Sequence, residues 1–140
     1  MTKRQLGFWL MGILLIILTA CGGAAADTTT TDIDINNLPD TVSADTVATI
    51  KDEPGVLVFD VREQSEYDEG HIPGVILIPM GEVPNRLSEI PTDQTVILTC
   101  RSGNRSGQVT EFLREQGYDN VHNMEGGIIA WSEAGLPVER

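Results

Sequence analysis

The seven residues from Cys100 to Ser106 are of the types that nucleophilic chemistry needs. A short apolar run, residues 96–99, comes directly before them. A tight loop between a strand and a helix points successive backbone N–H groups at one spot, and the helix N-terminus adds positive potential there. Such surroundings stabilise a thiolate, which is the reactive form of cysteine. The sequence therefore predicts a reactive Cys100, cradled by the segment Cys100-Arg101-Ser102-Gly103-Asn104-Arg105-Ser106.

A second pair of polar residues follows another predicted strand. Asp60 comes directly after the apolar run 56–59, and Arg62 lies two residues further on. Ligands of parallel sheets bind beyond the carboxyl ends of the strands, so we expect these residues to support the site around Cys100. Two interpretations of Asp60 stay open. It orients Arg62 or Arg105 across the cleft, or it only caps the end of its strand.

The elements that must position these residues alternate between strands and helices. This alternation predicts an α/β fold with a mainly parallel sheet in a single domain. Strands are predicted over 56–59, 75–78, 96–99 and 120–122, and helices over 44–51, 63–69, 106–116 and 128–134, with one or two helical turns within 82–87.

The start of the chain is typical of a secretory signal peptide. Lys3 and Arg4 precede an apolar run over 6–18, which is shorter than the roughly 20 residues of a spanning helix. An uncleaved helix that continues over 19–26 is the alternative. The residues that follow resemble the lipobox of bacterial lipoproteins, which implies removal of residues 1–20 and a lipid on Cys21. The protein would then be extracytoplasmic and lipid-anchored to a bacterial membrane. The four residues that carry this resemblance are Leu18-Thr19-Ala20-Cys21.

Composition divides the rest of the chain, residues 21–140, into a tether and a domain, and it limits the partners of the protein. Residues 21–40 are mostly small and polar, which predicts a flexible tether, and residues 41–140 form the domain. The net charge of −12 argues against nucleic acid as a partner. His71 and His122 lack the spacing of metal ligands, so no metal is predicted. A solvated face is the simplest interpretation of the acidic positions, which include Glu63, Glu66, Asp68 and Glu69.

Several motifs within residues 41–140, in the same order along the chain, together resemble the rhodanese family. The loop from Cys100 to Ser106 looks like the active-site loop of that family. The other matching segments are Asp60-Val61-Arg62-Glu63, Glu66-Tyr67, Gly70-His71-Ile72-Pro73-Gly74, Ile78-Pro79, Gly117-Tyr118, Val121, Met124-Glu125-Gly126-Gly127, Trp131 and Gly135-Leu136-Pro137.

The resemblance implies a fold and a reaction. The fold is a central five-stranded parallel sheet flanked by helices. The reaction is that of a rhodanese-type sulfurtransferase: Cys100 takes sulfane sulfur from thiosulfate or a related small anion, holds it as a persulfide and passes it to a thiophilic acceptor. No metal or organic cofactor is implied. Arg101 either grips the sulfonate of the donor or is a solvated surface charge, and Arg105 is expected to brace the loop.

Two alternatives share the same loop. One is a non-catalytic persulfide carrier or binding module that serves a protein partner in the cell envelope. The other is a cysteine phosphatase or oxyanion reductase, which needs Cys-x5-Arg so that the arginine meets the phosphoryl oxygens. Counted from Cys100, that arginine would be residue 106, which is Ser106, and Arg105 comes one position too early. The six-residue loop therefore favours sulfur over phosphate.

Overall fold

Five short strands form one parallel sheet in the computed structural model, which describes residues 33–140. The strands are β1 (Thr41–Val42), β2 (Val56–Asp60), β3 (Ile76–Leu77), β4 (Thr95–Thr99) and β5 (Val121–Met124). Each pair of neighbouring strands is parallel, and their order across the sheet is β1-β5-β4-β2-β3. The α/β fold with a central five-stranded parallel sheet is thereby confirmed.

The central strand β4 shows why the sheet is covered on both sides. Val96, Ile97 and Leu98 are each 0% exposed. Successive side chains of a strand point to opposite faces, so Val96 and Leu98 enter one core cluster and Ile97 enters the other. A strand that is buried on both faces reads as a continuous apolar run rather than an alternating one.

Within residues 33–140, four α-helices and two 3-10 segments flank this sheet. The helices are α1 (Ala44–Ile50), α2 (Gln64–Glu69), α3 (Asn104–Glu115) and α4 (Gly127–Glu133), and the 3-10 segments are Met80–Asn85 and Leu87–Glu89. Helices α1 and α4 supply Val47, Ile50 and Trp131 to one core cluster, whereas α3 supplies Val109 and Leu113 to the other. Helix α3 begins at residue 104 rather than at the predicted 106, so the loop after Cys100 is tighter than the sequence indicated.

The segment 33–40, which was predicted to be tether, lies against the domain. The Thr95 hydroxyl donates to the Ile35 carbonyl at 3.0 Å, and Arg114 forms an ion pair with Asp40 at 2.9 Å. Partly buried isoleucine and leucine side chains of this segment also pack on the core. The packed region therefore starts before the predicted boundary at residue 41.

The predicted signal peptide over 1–20, the lipidation of Cys21 and the tether over 21–32 lie outside the described residues and stay predictions. Within residues 33–140, no helix combines the length and the apolar character that crossing a membrane requires.

Candidate active site

The thiol of Cys100 lies at the carboxyl end of β4, and the side chain is only 1% exposed. Its Sγ accepts a hydrogen bond from the backbone N–H of Gly103 at 3.1 Å and another from the Ser106 hydroxyl at 3.3 Å. Asp60 ends the neighbouring strand β2, where it pairs in register with Thr99. The two strand ends that the sequence singled out therefore lie next to each other.

The start of α4 binds the loop in the conformation that brings the Gly103 N–H and the Ser106 hydroxyl to the Cys100 Sγ, an arrangement called the cradle below. The N–H of Ile128 donates to the Cys100 carbonyl at 2.8 Å, and the N–H of Ile129 donates to the Arg101 carbonyl at 3.2 Å. In a trans peptide the C=O and the N–H point in opposite directions. Because these carbonyls point towards α4, the N–H groups of the same peptide units, on Arg101 and Ser102, point away from it. Gly103, at φ +90°, then turns the chain into α3.

Hydrogen bonds make the Cys100 thiol more acidic than an ordinary cysteine. Burial is the largest single influence, and it raises the pKa because the thiolate is harder to desolvate than the thiol. The opposing hydrogen bonds from the Ser106 hydroxyl, and from the backbone at Ser106, Ser102 and Gly103, together outweigh burial and lower the pKa of Cys100. The site therefore favours a thiolate that is kept out of bulk solvent.

The Ser106 hydroxyl makes the first testable contribution to this acidity. In Ser106→Ala the thiolate loses one hydrogen-bond donor, so the pKa of Cys100 is expected to rise. The pH midpoint for alkylation of Cys100 by iodoacetamide should therefore move upwards. Ser132→Ala, an exposed serine on α4, is the control and should keep the wild-type midpoint. A midpoint that stays in place or moves downwards in Ser106→Ala would refute the role of the hydroxyl.

Gly127 allows α4 to approach the loop this closely. A Cβ at this position would lie 2.3 Å from the Cys100 carbonyl oxygen and 2.6 Å from the carbonyl carbon of Arg101. Both contacts are with backbone, which cannot move aside as a flexible side chain can. Gly127 also has φ +56°, a conformation that favours glycine. The absence of a side chain at Gly127 is therefore required for the backbone arrangement around Cys100.

Gly127→Ala is expected to displace the loop and to lower the free energy of unfolding by about 2–4 kcal/mol, from left-handed backbone strain and overpacking together. Gly135→Ala separates these two causes, because Gly135 has φ +71° but nothing within 4 Å of an added Cβ. That control should cost about 1 kcal/mol from strain alone. Urea unfolding measures both variants. Equal losses in the two would contradict the close approach at Gly127.

Asp60 engages Arg62, and its contacts favour a structural role. The two side chains form an ion pair at 2.7 Å and are 1% and 5% exposed respectively. Arg62 also donates to the carbonyls of Glu66 at 3.1 Å and Gly70 at 2.9 Å, which lie in and just after α2. The pair thus ties α2 to the end of β2. Of the two partners that the sequence left open for Asp60, the structure shows contact with Arg62 and not with Arg105.

Arg105 forms its ion pair with Glu66. Each terminal nitrogen of the guanidinium donates to a different carboxylate oxygen, both at 2.7 Å. The hydrogen bonds from Arg105 are the main reason that the pKa of Glu66 is lowered to about 2. Interpreting Glu66 as part of a solvated acidic face was therefore wrong. The ion pair joins α2 to α3 across 39 positions of sequence, and no local sequence pattern predicts it.

The other loop residues divide into an outer and an inner set. Arg101, Ser102 and Asn104 are exposed, whereas Gly103 and Ser106 are buried. Within residues 33–140 the Arg101 side chain makes neither an ion pair nor a hydrogen bond, and both roles expected of it, gripping the sulfonate of the donor and standing as a solvated charge, stay predictions.

One supporting residue was missed from the sequence. The Asn123 amide on β5 donates to the Gly103 carbonyl at 3.2 Å and so fixes the loop from a third strand.

Neither histidine belongs to the site. His71 contacts the Tyr67 carbonyl and Glu139, and His122 contacts the Pro39 carbonyl. Among the described residues, no group of His, Cys, Asp or Glu is arranged to hold a metal ion.

A cavity of about 420 Å³ lies at the opposite end of the strands, beside the start of β4, and none of the loop residues lines it.

Comparison with known proteins agrees with this arrangement. The family model described as Rhodanese-like domain matches residues 43–134. A protein of Allochromatium vinosum named sulfurtransferase is 46% identical over 89 residues, which cover 64% of this chain and 83% of the relative. A thiosulfate sulfurtransferase of Pseudoalteromonas translucida is 34% identical over 83 residues, covering 59% of this chain and 79% of the relative.

Solved structures show the same likeness. A rhodanese-related protein of Thermoplasma volcanium superposes with a TM-score of 0.65 at 33% identity, over 72% of this chain and 98% of that one. A rhodanese-like domain protein of Staphylococcus aureus gives a TM-score of 0.63 at 32% identity, over 73% of this chain and all of its own, 100%.

Proposed function

The chain belongs to the rhodanese-like domain family, and from that premise we propose that it is a sulfurtransferase that carries sulfane sulfur on Cys100. The observation that carries the proposal is the cradle around the thiol. Cys100 is buried, its pKa is lowered, and its Sγ accepts hydrogen bonds from Gly103 and Ser106. These groups suit a thiolate, and they also suit the terminal sulfur of a persulfide, which is likewise an anion.

The reaction has two half-steps. In the first, the Cys100 thiolate attacks the outer sulfur of thiosulfate. A new S–S bond forms, the S–S bond of the donor breaks, and sulfite leaves with the electron pair. In the second, a thiophilic acceptor attacks the terminal sulfur of the persulfide, and the Cys100 thiolate leaves. The anionic charge stays within the loop throughout, so the same N–H and O–H donors serve both steps.

The position of Arg105 supports sulfur rather than phosphate as the cargo. A phosphatase loop uses its arginine to grip the equatorial oxygens of the phosphoryl group, which requires the guanidinium to face the nucleophile. Here both terminal nitrogens of Arg105 are bound to Glu66, on a different helix. The loop offers backbone N–H groups and one hydroxyl to Cys100, which is enough for a single sulfur atom.

The test uses three assays on the purified full chain: thiocyanate formation, persulfide detection and hydrolysis of an aryl phosphate. We expect thiosulfate and cyanide to give thiocyanate with repeated turnover. A persulfide that forms but is not passed to cyanide would instead identify a sulfur carrier. Hydrolysis of an aryl phosphate that depends on Cys100, without any thiocyanate, would overturn the proposal in favour of a phosphatase.

A further inference from the structure

The positive charges near Cys100 are mostly neutralised. Three arginines belong to the loop or follow the neighbouring strand β2: Arg101 and Arg105 in the loop, and Arg62 after β2. Arg62 is paired with Asp60 and is 4% exposed, and Arg105 is paired with Glu66. Only Arg101, an exposed side chain, has no carboxylate partner among residues 33–140. A site that must attract a dianion from a protein with a net charge of −12 would be expected to leave more of its cations unpaired.

Glu66 is held firmly in the position from which it binds Arg105. Its Oε2 accepts the N–H of Glu63 at 3.2 Å, at the start of α2, and its carbonyl accepts from the buried Arg62 at 3.1 Å. The two carboxylate oxygens then take one nitrogen each from Arg105, and both side chains are about one-third exposed, 28% and 31%. This two-point geometry fixes the orientation of the guanidinium as well as its charge.

Arg105 lies close to the thiol along the loop. It directly precedes Ser106, whose hydroxyl donates to the Cys100 Sγ at 3.3 Å. The Glu66 hydrogen bonds are the main cause that raises the pKa of Arg105, and the Cys100 thiolate adds to it. An unpaired guanidinium at this place would attract the sulfonate oxygens of a donor, because guanidinium binds such oxyanions through two parallel hydrogen bonds. With Glu66 in place, that attraction is cancelled by a neighbouring negative charge.

We propose that Glu66 is a specificity-determining positioning residue, which holds Arg105 in a closed ion pair so that the Cys100 loop favours sulfane-sulfur donors of low negative charge over dianions. The inference rests on the proposed sulfur transfer and concerns the class of donor. Glu66 acts through Arg105 and does not itself touch the reacting sulfur.

The test compares two donors that differ by one charge. Thiosulfate is a dianion and releases sulfite, whereas methanethiosulfonate is a monoanion and releases methanesulfinate, and each leaves one sulfur on Cys100. In Glu66→Gln the unpaired Arg105 should lower KM for thiosulfate about fivefold and KM for methanethiosulfonate about twofold, as Coulomb attraction across a wet gap of several ångströms predicts. High salt should shrink both effects.

Glu89→Gln is the control for this variant. Glu89 also binds an arginine at two points, because Nε and one terminal nitrogen of Arg86 donate to its two carboxylate oxygens, both at 2.7 Å. Arg86 keeps Glu82 as a second partner in this variant. The adjacent Leu87 accepts a hydrogen bond from Tyr118, which lies beyond the far end of α3. That helix is 12 residues long, about 18 Å. Glu89→Gln should therefore leave both KM values at the wild-type level.

Further variants separate charge from structural damage. Arg105→Gln leaves Glu66 unpaired and should raise KM for thiosulfate, while the double variant Glu66→Gln with Arg105→Gln should bring it back towards the wild-type value. Glu66→Asp keeps the charge and should not lower KM. A purely structural role would move both single variants in the same direction. If Glu66→Gln does not fold, Arg105→Gln and the double variant still show whether the charges of Arg105 and Glu66 lower or raise KM for thiosulfate.

Failure of the proposed role of Glu66 can be told apart from failure of the proposed sulfur transfer. If the wild-type chain forms no persulfide with either donor, sulfur transfer itself is refuted. If the wild type transfers sulfur but KM for thiosulfate is unchanged or raised in Glu66→Gln, or both donors shift equally, the role of Glu66 is refuted and sulfur transfer stands.

Discussion

Replacing Cys100 with serine is expected to lower the rate of thiocyanate formation by at least about a thousandfold. A serine hydroxyl stays protonated where the cysteine is a thiolate, and it cannot hold a second sulfur as a persulfide. The hydroxyl is small and can still accept hydrogen bonds from Gly103 and Ser106, so the loop should keep its shape. Steady-state thiocyanate production with thiosulfate and cyanide measures the effect.

Cys100→Ala serves as a second variant, because it removes the polar atom altogether and should be equally inactive. Urea unfolding of both variants checks that the domain remains folded. Thiocyanate formation above the uncatalysed background, in either variant, would mean that another group carries the sulfur.

Replacing Asp60 with asparagine is expected to lower the free energy of unfolding by about 3–5 kcal/mol. The change leaves the guanidinium of Arg62 buried, at 5% side-chain exposure, without its counter-charge. Asp60 also accepts the backbone N–H of Arg62 at 3.0 Å, a bond that the asparagine oxygen keeps, so the loss comes from the charge pair. Urea unfolding measures the loss, which is a large part of the stability of an ordinary domain.

Asp52→Asn is the matched control for this loss. Asp52 pairs with Lys51 at the same N···O distance of 2.7 Å, but its side chain is 82% exposed. Water already solvates the Asp52 carboxylate there, although the Lys51 side chain is 13% exposed, so the control should change the free energy of unfolding by no more than about 1 kcal/mol. If Asp60→Asn costs no more than Asp52→Asn, the buried pair is not what holds α2 to β2.

The position of Cys100 and its immediate surroundings could be predicted because their signal is local. An apolar run, a cysteine and a short polar segment before an amphipathic helix lie together in the sequence, and chain geometry alone brings the N–H groups of Gly103 and Ser106 towards Cys100. The end of β2 at Asp60 was found for the same reason, since adjacent parallel strands present their carboxyl ends at one edge.

The partner of Arg105 could not be predicted because it depends on how helices meet. Glu66 belongs to a run of acidic residues on a short helix, and one member of such a run looks like any other until α2 and α3 are placed side by side. Charge pattern alone indicates a solvated face, which is wrong for this one position. Asn123 was missed similarly, since a short polar stretch of β5 gives no sign of which carbonyl its amide reaches.

Two other features that the sequence did not predict also depend on tertiary contacts. Residues 33–40 have the composition of a linker, but their few apolar side chains find partners on the core, and the Asp40 carboxylate meets Arg114. Gly127 appeared in the sequence as part of a family motif, and its physical reason became visible only when α4 was seen to touch the Cys100 carbonyl.

The mass of the intact chain after exposure to thiosulfate shows whether Cys100 carries sulfur. We expect a gain of one sulfur atom, located on Cys100 by peptide mapping, absent from Cys100→Ser and removed by cyanide. No gain in the wild-type chain, or the same gain in Cys100→Ser, would contradict the proposal that Cys100 carries sulfur.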